Sequence, residues 1–500
     1  MCYNGYVYRH LRSRQQNHYY RCEMDECHGT AILRGTAQCN DAGGNVSEGK
    51  PHSHEVEEGR VEILEMQQAL REEGERSTAP PRAILQTHRQ HVPVKASGNL
   101  PSEDSQRQLI QRARRRTYPR EPPTKGEIEI PHRMQTTNEG ERFLLFDTFD
   151  PDDPDIGADE AENRIIAFAT ERNLRLLAES EMWFLDGTFK ACPQLFAQLY
   201  TINALVESRT FPLVYALLPS KTQEVYETLF RELVAAAAEL EPALELRPLH
   251  LMFDFERAAL NAAGAVFTGA EVHGCLFHLS QNIYRKVQEE GLTLDYRDDE
   301  DVQLSIKKLV ALAFLPAEEI PEGFRIIKDV APNNVLPVYR YMEENYVRGR
   351  VIHRQGKGRR PRTPPRHPPT FPPHLWSVHR LQELKLYRSN NVQEAWHSRF
   401  NTIVQRAHVG IFQIITEFRK EQHRVEQEIS RTDHGKKGGK TTTRSVRERE
   451  QRIGTVFGQF DTLPRETFIR RIARNMELRR RDQREADGED GSFEEEADVA

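Results

Sequence analysis

The chain has 500 residues, of which 37% are hydrophobic and 29% are charged, so it is too long for one ordinary domain. Its formal net charge is −6, but the charge is uneven, because residues 485–498 hold eight acidic side chains and basic clusters lie at 112–116 and 354–366. Six cysteines in this length exclude a disulfide scaffold, and no apolar run is long enough to predict a membrane span. No signal-peptide core is evident near Arg9, so we expect a protein of the cytoplasm or nucleus.

Residues 1–60 contain few apolar side chains but four of the six cysteines. Two of these cysteines follow a pair of tyrosines, and a His-Ser-His motif lies further along the segment. Two thiolates and two imidazoles complete a tetrahedral zinc site, and a unit this small needs such a cross-link in order to fold. We therefore predict a zinc-stabilised, β-rich module, although a coincidental pair of thiols beside an exposed His-Ser-His is the alternative. The predicted Zn²⁺ ligands are Cys22, Cys27, His52 and His54, and the predicted spare thiols are Cys2 and Cys39.

Residues 61–125 are predicted to form a linker with a short basic helix. A glutamate-rich helix within residues 59–75 comes first, and residues 78–106 are polar, contain prolines and are predicted to lack regular structure. The basic helix ends before Pro119, and its arginines either form a solvated face or contact DNA phosphates. The candidate DNA-binding residues of this helix are Arg112, Arg114, Arg115 and Arg116.

Residues 126–290 form the region in which the order of elements is informative. After short apolar runs at 143–146 and 164–169, three strands follow in quick succession, and helices and strands then alternate. The predicted strands lie at 182–186, 196–206, 211–218, 250–253 and 271–275, and the predicted helices at 222–240, 256–267 and 279–290. This order predicts an α/β mixed sheet covered by helices, as in a ribonuclease H-like fold, with the first and fourth of these five strands as neighbours.

Two of the apolar strands lead directly into an aspartate, the first into Asp186 and the fourth into Asp254. If the strands are neighbours, the two carboxylates lie close together. Phosphodiester cleavage can use two divalent cations about 3.5–4 Å apart, and Mg²⁺ needs few protein carboxylates because it retains several waters. We therefore predict that both aspartates bind Mg²⁺ or Mn²⁺, whereas capping of a turn is the alternative for either one alone.

Three further polar residues lie close in sequence to the predicted strand ends. Glu256 is interpreted as a first-turn glutamate that complements a helix dipole. Cys275 and His278 lie at a strand-to-helix junction, where we expect them to support the site as buried structural residues. A cysteine nucleophile paired with His278 is the alternative.

Residues 291–380 are predicted to form a helical insertion that includes a basic, proline-rich segment. In that segment Arg359 and Arg360 either contact DNA or belong to a nuclear-import signal. Residues 431–500 are predicted to form a basic and then acidic tail, helical near 457–476 and partly disordered.

Residues 381–430 are predicted to complete the core with a helix that begins near Ser389. Glu394 projects from the face of this helix that lies away from its apolar stripe. This position makes it the candidate for a third carboxylate ligand, although an exposed surface glutamate is the alternative.

These motifs resemble two known families. Residues 5–54 resemble a FLYWCH-type zinc finger, and residues 110–430 resemble a Mutator-like (MULE) transposase. The finger motifs are Gly5-Tyr6-Val7-Tyr8, Tyr20-Arg21-Cys22, Cys27 and His52-Ser53-His54. The transposase motifs are Asp186-Gly187-Thr188-Phe189, Phe196-Ala197-Gln198-Leu199-Tyr200, Phe253-Asp254-Phe255-Glu256, Gly274-Cys275-Leu276-Phe277-His278 and Ser389-Asn390-Asn391-Val392-Gln393-Glu394-Ala395-Trp396-His397.

The resemblance implies a DDE-type DNA transposase whose ribonuclease H-like core is interrupted by a helical insertion. Its acidic triad falls on Asp186, Asp254 and Glu394, and the family's Cys-x-x-His signature falls on Cys275 and His278. The implied partner is DNA, both transposon ends and target, in the nucleus. Because transposition joins two ends, a homo-oligomer is expected, and the zinc finger would bind DNA or a protein partner.

Three functions fit these features. An active transposase would cleave strand ends with water and then transfer the 3′-hydroxyl to target DNA. A domesticated, non-catalytic descendant would act as a DNA-binding regulator through its zinc module, and a protein adaptor would use that module without DNA. We expect the first, because all three acids of the triad are present.

Overall fold

The computed structural model describes residues 1–34, 46–57, 59–77, 79–150, 161–207, 209–352, 365–389, 391–404, 409–434 and 444–478, with side chains except at 117 and 391–395. The chain divides into two compact units, Met1–Glu121 and Pro122–Ala500. Both combine helices with a sheet, which confirms the α/β class. None of the described helices has the length and apolar character that spanning a bilayer requires.

The first unit begins with an antiparallel sheet. Within the described residues its five strands pair in chain order: β1 (Cys2–Tyr3), β2 (Tyr6–Arg14), β3 (Asn17–Cys22), β4 (Thr30–Arg34) and β5 (Val46–Glu48). Asn4 and Gly5 join β1 to β2 with φ of 49° and 80°, the left-handed conformation that a two-residue hairpin turn favours. The sheet buries few apolar side chains, among them Tyr8 and Leu33, so its own core is small.

Helices complete the first unit: α1 (Arg60–Arg76), α2 (Pro81–Arg89) and α3 (Glu103–Thr117), with a 3-10 turn at Val94–Asn99. Their shared core contains Met66, Leu70, Ile84, Leu85 and Ile110. The prediction of an unstructured segment at 78–106 is therefore corrected, because α2 and the 3-10 turn lie within it. Its sequence is polar, and only two large apolar side chains of α2 are buried against the neighbouring helices, too few to produce a clear periodic pattern.

The second unit is built on a mixed sheet, which has seven strands in the described part of the chain. They are β6 (Leu144–Asp147), β7 (Ile166–Phe168), β8 (Met182–Thr188), β9 (Gln198–Val206), β10 (Arg209–Leu218), β11 (His250–Phe253) and β12 (Glu271–Gly274). Their order is β12-β11-β8-β9-β10-β7-β6, with β8, β11 and β12 parallel and the remaining pairs antiparallel. Most of β8, β9 and β10 is buried on both faces, which explains why they read as continuous apolar runs.

β11 lies beside β8, as the order of elements predicts. Phe253 pairs with Leu185, so Asp254 and Asp186 come next on neighbouring strands. β8 extends to Thr188, whereas the prediction ended it at Asp186. The two extra residues are held by the antiparallel pairing with β9, a non-local contact that the composition of β8 does not reveal.

Helices cover both faces of the sheet. One face packs against α4 (Glu171–Glu179), α5 (Gln223–Ala238), α6 (Arg257–Val266) and the end of α15 (Ile411–Asp433), and the other against α7 (Leu276–Glu289) and the helical insertion. Thr170 and Thr222 begin α4 and α5, because their hydroxyls accept hydrogen bonds from backbone N–H groups of the first turn.

The insertion is a helical layer with its own buried core. It contains α8 (Thr293–Asp298), α9 (Glu300–Ala311), α10 (Ile320–Lys328), α11 (Leu336–Met342), α12 (Pro373–Trp376) and α13 (His379–Glu383), with 3-10 turns at Leu312–Phe314 and Asn333–Val335 and a π-helix at Glu343–Val347. After α14 (Asn391–Val404) and α15, the helices α16 (Arg444–Phe457) and α17 (Arg465–Ala473) join the same core through Ile453, Phe468 and Ile472. Residues 444–478, predicted as the first part of a tail with a helix near 457–476, thus contain two helices that belong to this layer.

Candidate functional site

Asp186 and Asp254 form the centre of the candidate site. They follow the paired residues of β8 and β11 at the same edge of the sheet. Asp186 is 4% exposed, and its Oδ1 accepts a hydrogen bond from the Gly187 N–H at 2.8 Å. Asp254 Oδ1 accepts one from the Glu256 N–H at 3.3 Å. The structure therefore brings together the two carboxylates that were singled out in the sequence.

The two carboxylates differ in pKa. Burial, followed by the negative charge of Asp186, raises the pKa of Asp254 to about 7. Burial acts in the same direction on Asp186, but the imidazoles of His397 and His278 and the N–H of Gly187 outweigh it and lower the pKa of Asp186. Two buried carboxylates that repel each other fit a divalent cation, because the cation would stabilise the charged form of both.

The structure adds His397 to this site. Its Nδ1 lies 3.4 Å from Asp186 Oδ2, its Nε2 lies 3.5 Å from Thr201 Oγ1, and the side chain is 4% exposed. In the sequence, His397 is the last residue of a transposase-like motif, and no role was predicted for it. The spacing in the sequence could have indicated that His397 belongs to the site. Glu394 lies one helical turn earlier in α14, and residues three apart share a helix face.

The position of Glu394 is described only through its backbone in α14. Its side chain lies outside the described part of the structure, so its role as a third ligand stays a prediction. The apolar stripe predicted for this helix is buried at Trp396, Phe400 and Val404 but not at Ile403, which is 43% exposed. The predicted burial of Ile403 is therefore wrong, because the side of the last helical turn on which Ile403 lies is open to solvent.

Glu421 of α15 holds α14 in place. Its Oε1 accepts hydrogen bonds from the indole N–H of Trp396 at 2.8 Å, from the Arg399 guanidinium and from the Arg424 guanidinium at 2.8 Å. Burial opposes ionisation of Glu421, which is 3% exposed, but the two guanidinium groups prevail and lower its pKa. A buried carboxylate thus joins the helix that contains His397 to the body of the unit.

Replacing Glu421 by Gln should therefore weaken the site without altering any candidate ligand. Gln cannot pair as strongly with the two guanidinium groups, which are 30% and 35% exposed, and a hydrogen bond to a charged group contributes about 1.5–3 kcal/mol. We expect a lower melting temperature, and Glu426→Gln on the same helix serves as the control. An unchanged melting temperature of Glu421→Gln would contradict the role of this carboxylate.

Glu256 takes part in a separate network beside the aspartates. The Tyr226 hydroxyl donates to its Oε1 at 2.7 Å, and the Lys221 ammonium lies 3.0 Å from its Oε2. It is the residue before the first turn of α6 and makes no side-chain capping hydrogen bond there, so the predicted helix-dipole role stays a prediction. Gln198 donates to the same Tyr226 hydroxyl. A Cβ on Gly187 would lie 2.4 Å from Gln198 Oε1, which explains the glycine after Asp186 in the motif.

Cys275 and His278 lie at the start of α7, on the same edge of the sheet. Cys275 is 0% exposed, and its N–H donates to the Phe253 carbonyl at 2.8 Å. A thiol without exposed surface has no access to a DNA phosphate, so the structure favours a supporting role over a nucleophilic one. The imidazole of His278 lowers the pKa of both Asp186 and Asp254, which places its charge close to the pair.

The four predicted zinc ligands also come together. The ligand atoms of Cys22, Cys27, His52 and His54 all lie within 4.8 Å of one another. Cys22 Sγ lies 3.2 Å from His54 Nε2, and Cys27 Sγ lies 3.4 Å from His52 Nδ1. Two cysteines and two histidines in this arrangement can hold a metal ion. Cys2 is not part of the cluster, and Cys39 lies outside the described residues.

The surroundings of this cluster fix the orientation of its imidazoles. The Tyr8 hydroxyl lies 2.8 Å from the other ring nitrogen of His52, and His54 Nδ1 lies 2.8 Å from the Glu55 carbonyl oxygen. Both histidines therefore turn one nitrogen toward the thiols and pair the other, as metal-binding histidines do. Burial opposes ionisation of the Cys27 thiol, but neighbouring N–H groups such as that of Gly29 lower its pKa and favour the thiolate.

The arginines proposed to bind DNA are placed differently from one another. Three of the arginines on α3 have exposed side chains: Arg112, Arg115 and Arg116. The Arg114 guanidinium instead donates to the carbonyl oxygens of Ser77, at 3.0 Å, and Ala79. Arg114 is therefore corrected from a DNA contact to a link between α3 and the end of α1. The remaining two candidates lie outside the described residues: Arg359 and Arg360.

Comparison with known proteins gives one family. Residues 182–282 match the MULE transposase domain. The matched segment begins with β8 and ends within α7, so it contains Asp186, Asp254, Cys275 and His278 and stops before α14. A search of curated proteins found no match. The part of the chain that places the two aspartates side by side is thus similar to a transposase domain, which suggests a transposase-related function.

Proposed function

We propose that this protein is a DDE-type DNA transposase that cleaves transposon ends and transfers them to target DNA in the nucleus. The observation that supports this most is the adjacency of Asp186 and Asp254 on parallel strands within the segment that matches the MULE transposase domain. The order of three meandering strands followed by parallel strands and helices supports a ribonuclease H-like core.

Asp186, Asp254 and Glu394 are the proposed ligands for two Mg²⁺ or Mn²⁺ ions. The spacing of three residues between Glu394 and His397 supports the third ligand, because His397 is already beside Asp186 and residues at this spacing share a helix face. Bound cations would lower the pKa of the attacking hydroxyl and stabilise the leaving oxygen. His397 positions Asp186, while the Gly187 N–H orients the same carboxylate from the strand.

The N-terminal cluster is proposed to bind Zn²⁺ as a FLYWCH-type finger. Its donor set of two thiols and two imidazoles suits Zn²⁺, and both imidazoles have a hydrogen-bonded second nitrogen. Because α3 of the same unit exposes Arg112, Arg115 and Arg116, we propose DNA as the partner of this unit. That surface also favours the second candidate function, a non-catalytic DNA-binding regulator, in which the aspartate pair would be idle.

An excision assay separates the two functions. Cells carry a reporter cassette that is flanked by the terminal repeats of the chain's own genomic locus. These cells express either the wild-type protein or Asp186→Asn. The proposal expects precise loss of the cassette with wild type and a decrease of at least about 10³-fold with the variant. Retention of the cassette by wild-type protein, together with specific binding of the repeats by the first unit, would instead identify a regulator.

A further inference from the structure

A second cluster of side chains that could hold a metal lies on β11 and β12, away from the aspartate pair. His250 begins β11, and Glu271 and His273 are the first and third of the four residues of β12. His250 pairs with Glu271 across the two strands, and residues two apart on β12 point to the same face. Both histidines are buried, whereas the Glu271 side chain is 44% exposed and reaches them from the surface.

Three atoms of this cluster form a compact triangle. His250 Nδ1 lies 3.1 Å from His273 Nε2, and Glu271 Oε2 lies 3.7 Å from the former and 3.8 Å from the latter. A point in the plane of these atoms lies about 2.1 Å from each of them, which is the distance at which Zn²⁺ binds imidazole nitrogen and carboxylate oxygen. A cation can therefore contact all three donors without displacement of the backbone.

We propose that His250, Glu271 and His273 form a site for a divalent transition-metal ion, best suited to Zn²⁺, that is distinct from the aspartate pair. Two imidazoles and one carboxylate are a donor set that Zn²⁺ accepts, with water as a fourth ligand on the exposed side. This proposal stands independently of the transposase activity.

The charged groups around the cluster permit cation binding. The Arg380 guanidinium contacts Glu271 through Oε1, at 3.4 Å, and leaves Oε2 directed at the imidazoles. Glu181 adds a second negative charge near His250, while Arg380 acts in the opposite direction.

A metal ion at this site would stabilise the outer strand of the sheet. β12 is the outermost strand beside β11, and it has only four residues. An ion bound between the two strands would anchor the start of β12, whose other end leads directly into Cys275 and α7. The site would thus stabilise the segment that delivers Cys275 and His278 to the catalytic edge.

Counting bound zinc in the full chain tests the proposal. Wild type and Glu271→Gln are dialysed against buffered Zn²⁺ in excess Mg²⁺, and bound zinc is measured by mass spectrometry. Glu271→Gln should hold one Zn²⁺ fewer than wild type, with affinity at this site reduced at least about 100-fold. Asp254→Asn and Arg380→Gln should lose none, because the first alters only the aspartate pair and the second removes a competing cation.

Substitution with Co²⁺ identifies which ligands are involved. The difference spectrum between wild type and Glu271→Gln should show cobalt d–d bands without thiolate charge transfer, which separates this site from the cysteine-containing cluster. Equal melting temperatures of the two proteins in chelator show that the variant folds. Equal zinc content and affinity of wild type and Glu271→Gln would overturn the proposal and leave a hydrogen-bonded histidine pair without metal.

Discussion

Replacing Asp254 by Asn should abolish DNA cleavage and, in the same protein, raise the stability of the metal-free fold at neutral pH. In the proposed mechanism Asp254 is a cation ligand at the reacting phosphate, so we expect a decrease of at least about 10³-fold in cleavage. The increase in stability follows from burial and from the charge of Asp186, which raise the pKa of Asp254 to about 7.

The direction of the change in stability follows from proton binding to Asp254. The folded state holds the proton of Asp254 more tightly than the unfolded state, whose aspartates titrate near 4. The stability gained from this proton is fully present below about pH 4 and is lost as the pH rises through about 7. Asn has no proton to lose, so Asp254→Asn should be more stable than wild type by on the order of 2 kcal/mol at pH 8, and by little at pH 4.

Melting curves in chelator at the two pH values, with cleavage assays in Mn²⁺, check both parts of this prediction. Glu256→Gln is the matched control, because Glu256 lies two residues away and is paired with Tyr226 and Lys221. It should retain cleavage within a few-fold and gain less stability at pH 8 than Asp254→Asn, because Glu256 contributes less than burial and Asp186 to the raised pKa of Asp254. A lower melting temperature of Asp254→Asn at pH 8 would show that the carboxylate is not under repulsion.

Replacing Cys27 by Ser should unfold the N-terminal sheet. This sheet buries few apolar side chains, and structural Zn²⁺ in small modules contributes about 10–16 kcal/mol of apparent binding free energy at pH 7. Without the thiolate, the metal is lost and the strands lack a sufficient core. We expect rapid protease cleavage within residues 1–57, while the sheet of the second unit stays protected.

Limited proteolysis with mass spectrometry, before and after removal of zinc by a chelator, measures this effect. Cys2→Ser is the matched control, because Cys2 lies in the same sheet but outside the Cys/His cluster. The control should keep the wild-type cleavage pattern and zinc content. If Cys27→Ser also keeps both, the cluster does not stabilise the sheet through a metal.

The adjacency of Asp186 and Asp254 could be predicted because it depends on the order of elements. Long apolar strands and amphipathic helices are local features, and few topologies connect them in this order. The Cys/His cluster could be predicted for a similar reason, since all four residues lie within one short segment of distinctive composition.

The contacts of His397 could not be predicted in this way. They depend on α14 reaching β8 and β9 from nearly two hundred residues further along the chain, through buried contacts such as that between Trp396 and Glu421. The contacts of Arg114 could not be predicted either. The sequence of an arginine-rich helix does not show which guanidinium faces solvent and which one donates to the carbonyl oxygens of a neighbouring turn. Likewise, the folding of residues 444–478 depends on an apolar surface supplied by the insertion.

The buried Glu421 has a consequence for judging which related genes encode working enzymes. Its hydrogen bonds from Trp396 and Arg399 hold the helix on which Glu394 and His397 lie, although it is not itself a candidate ligand. A gene copy that has lost this residue would still encode Asp186, Asp254 and Glu394, and a survey that counts only those acids would score it as intact. Intact copies should therefore be sought by the three proposed acids together with Glu421.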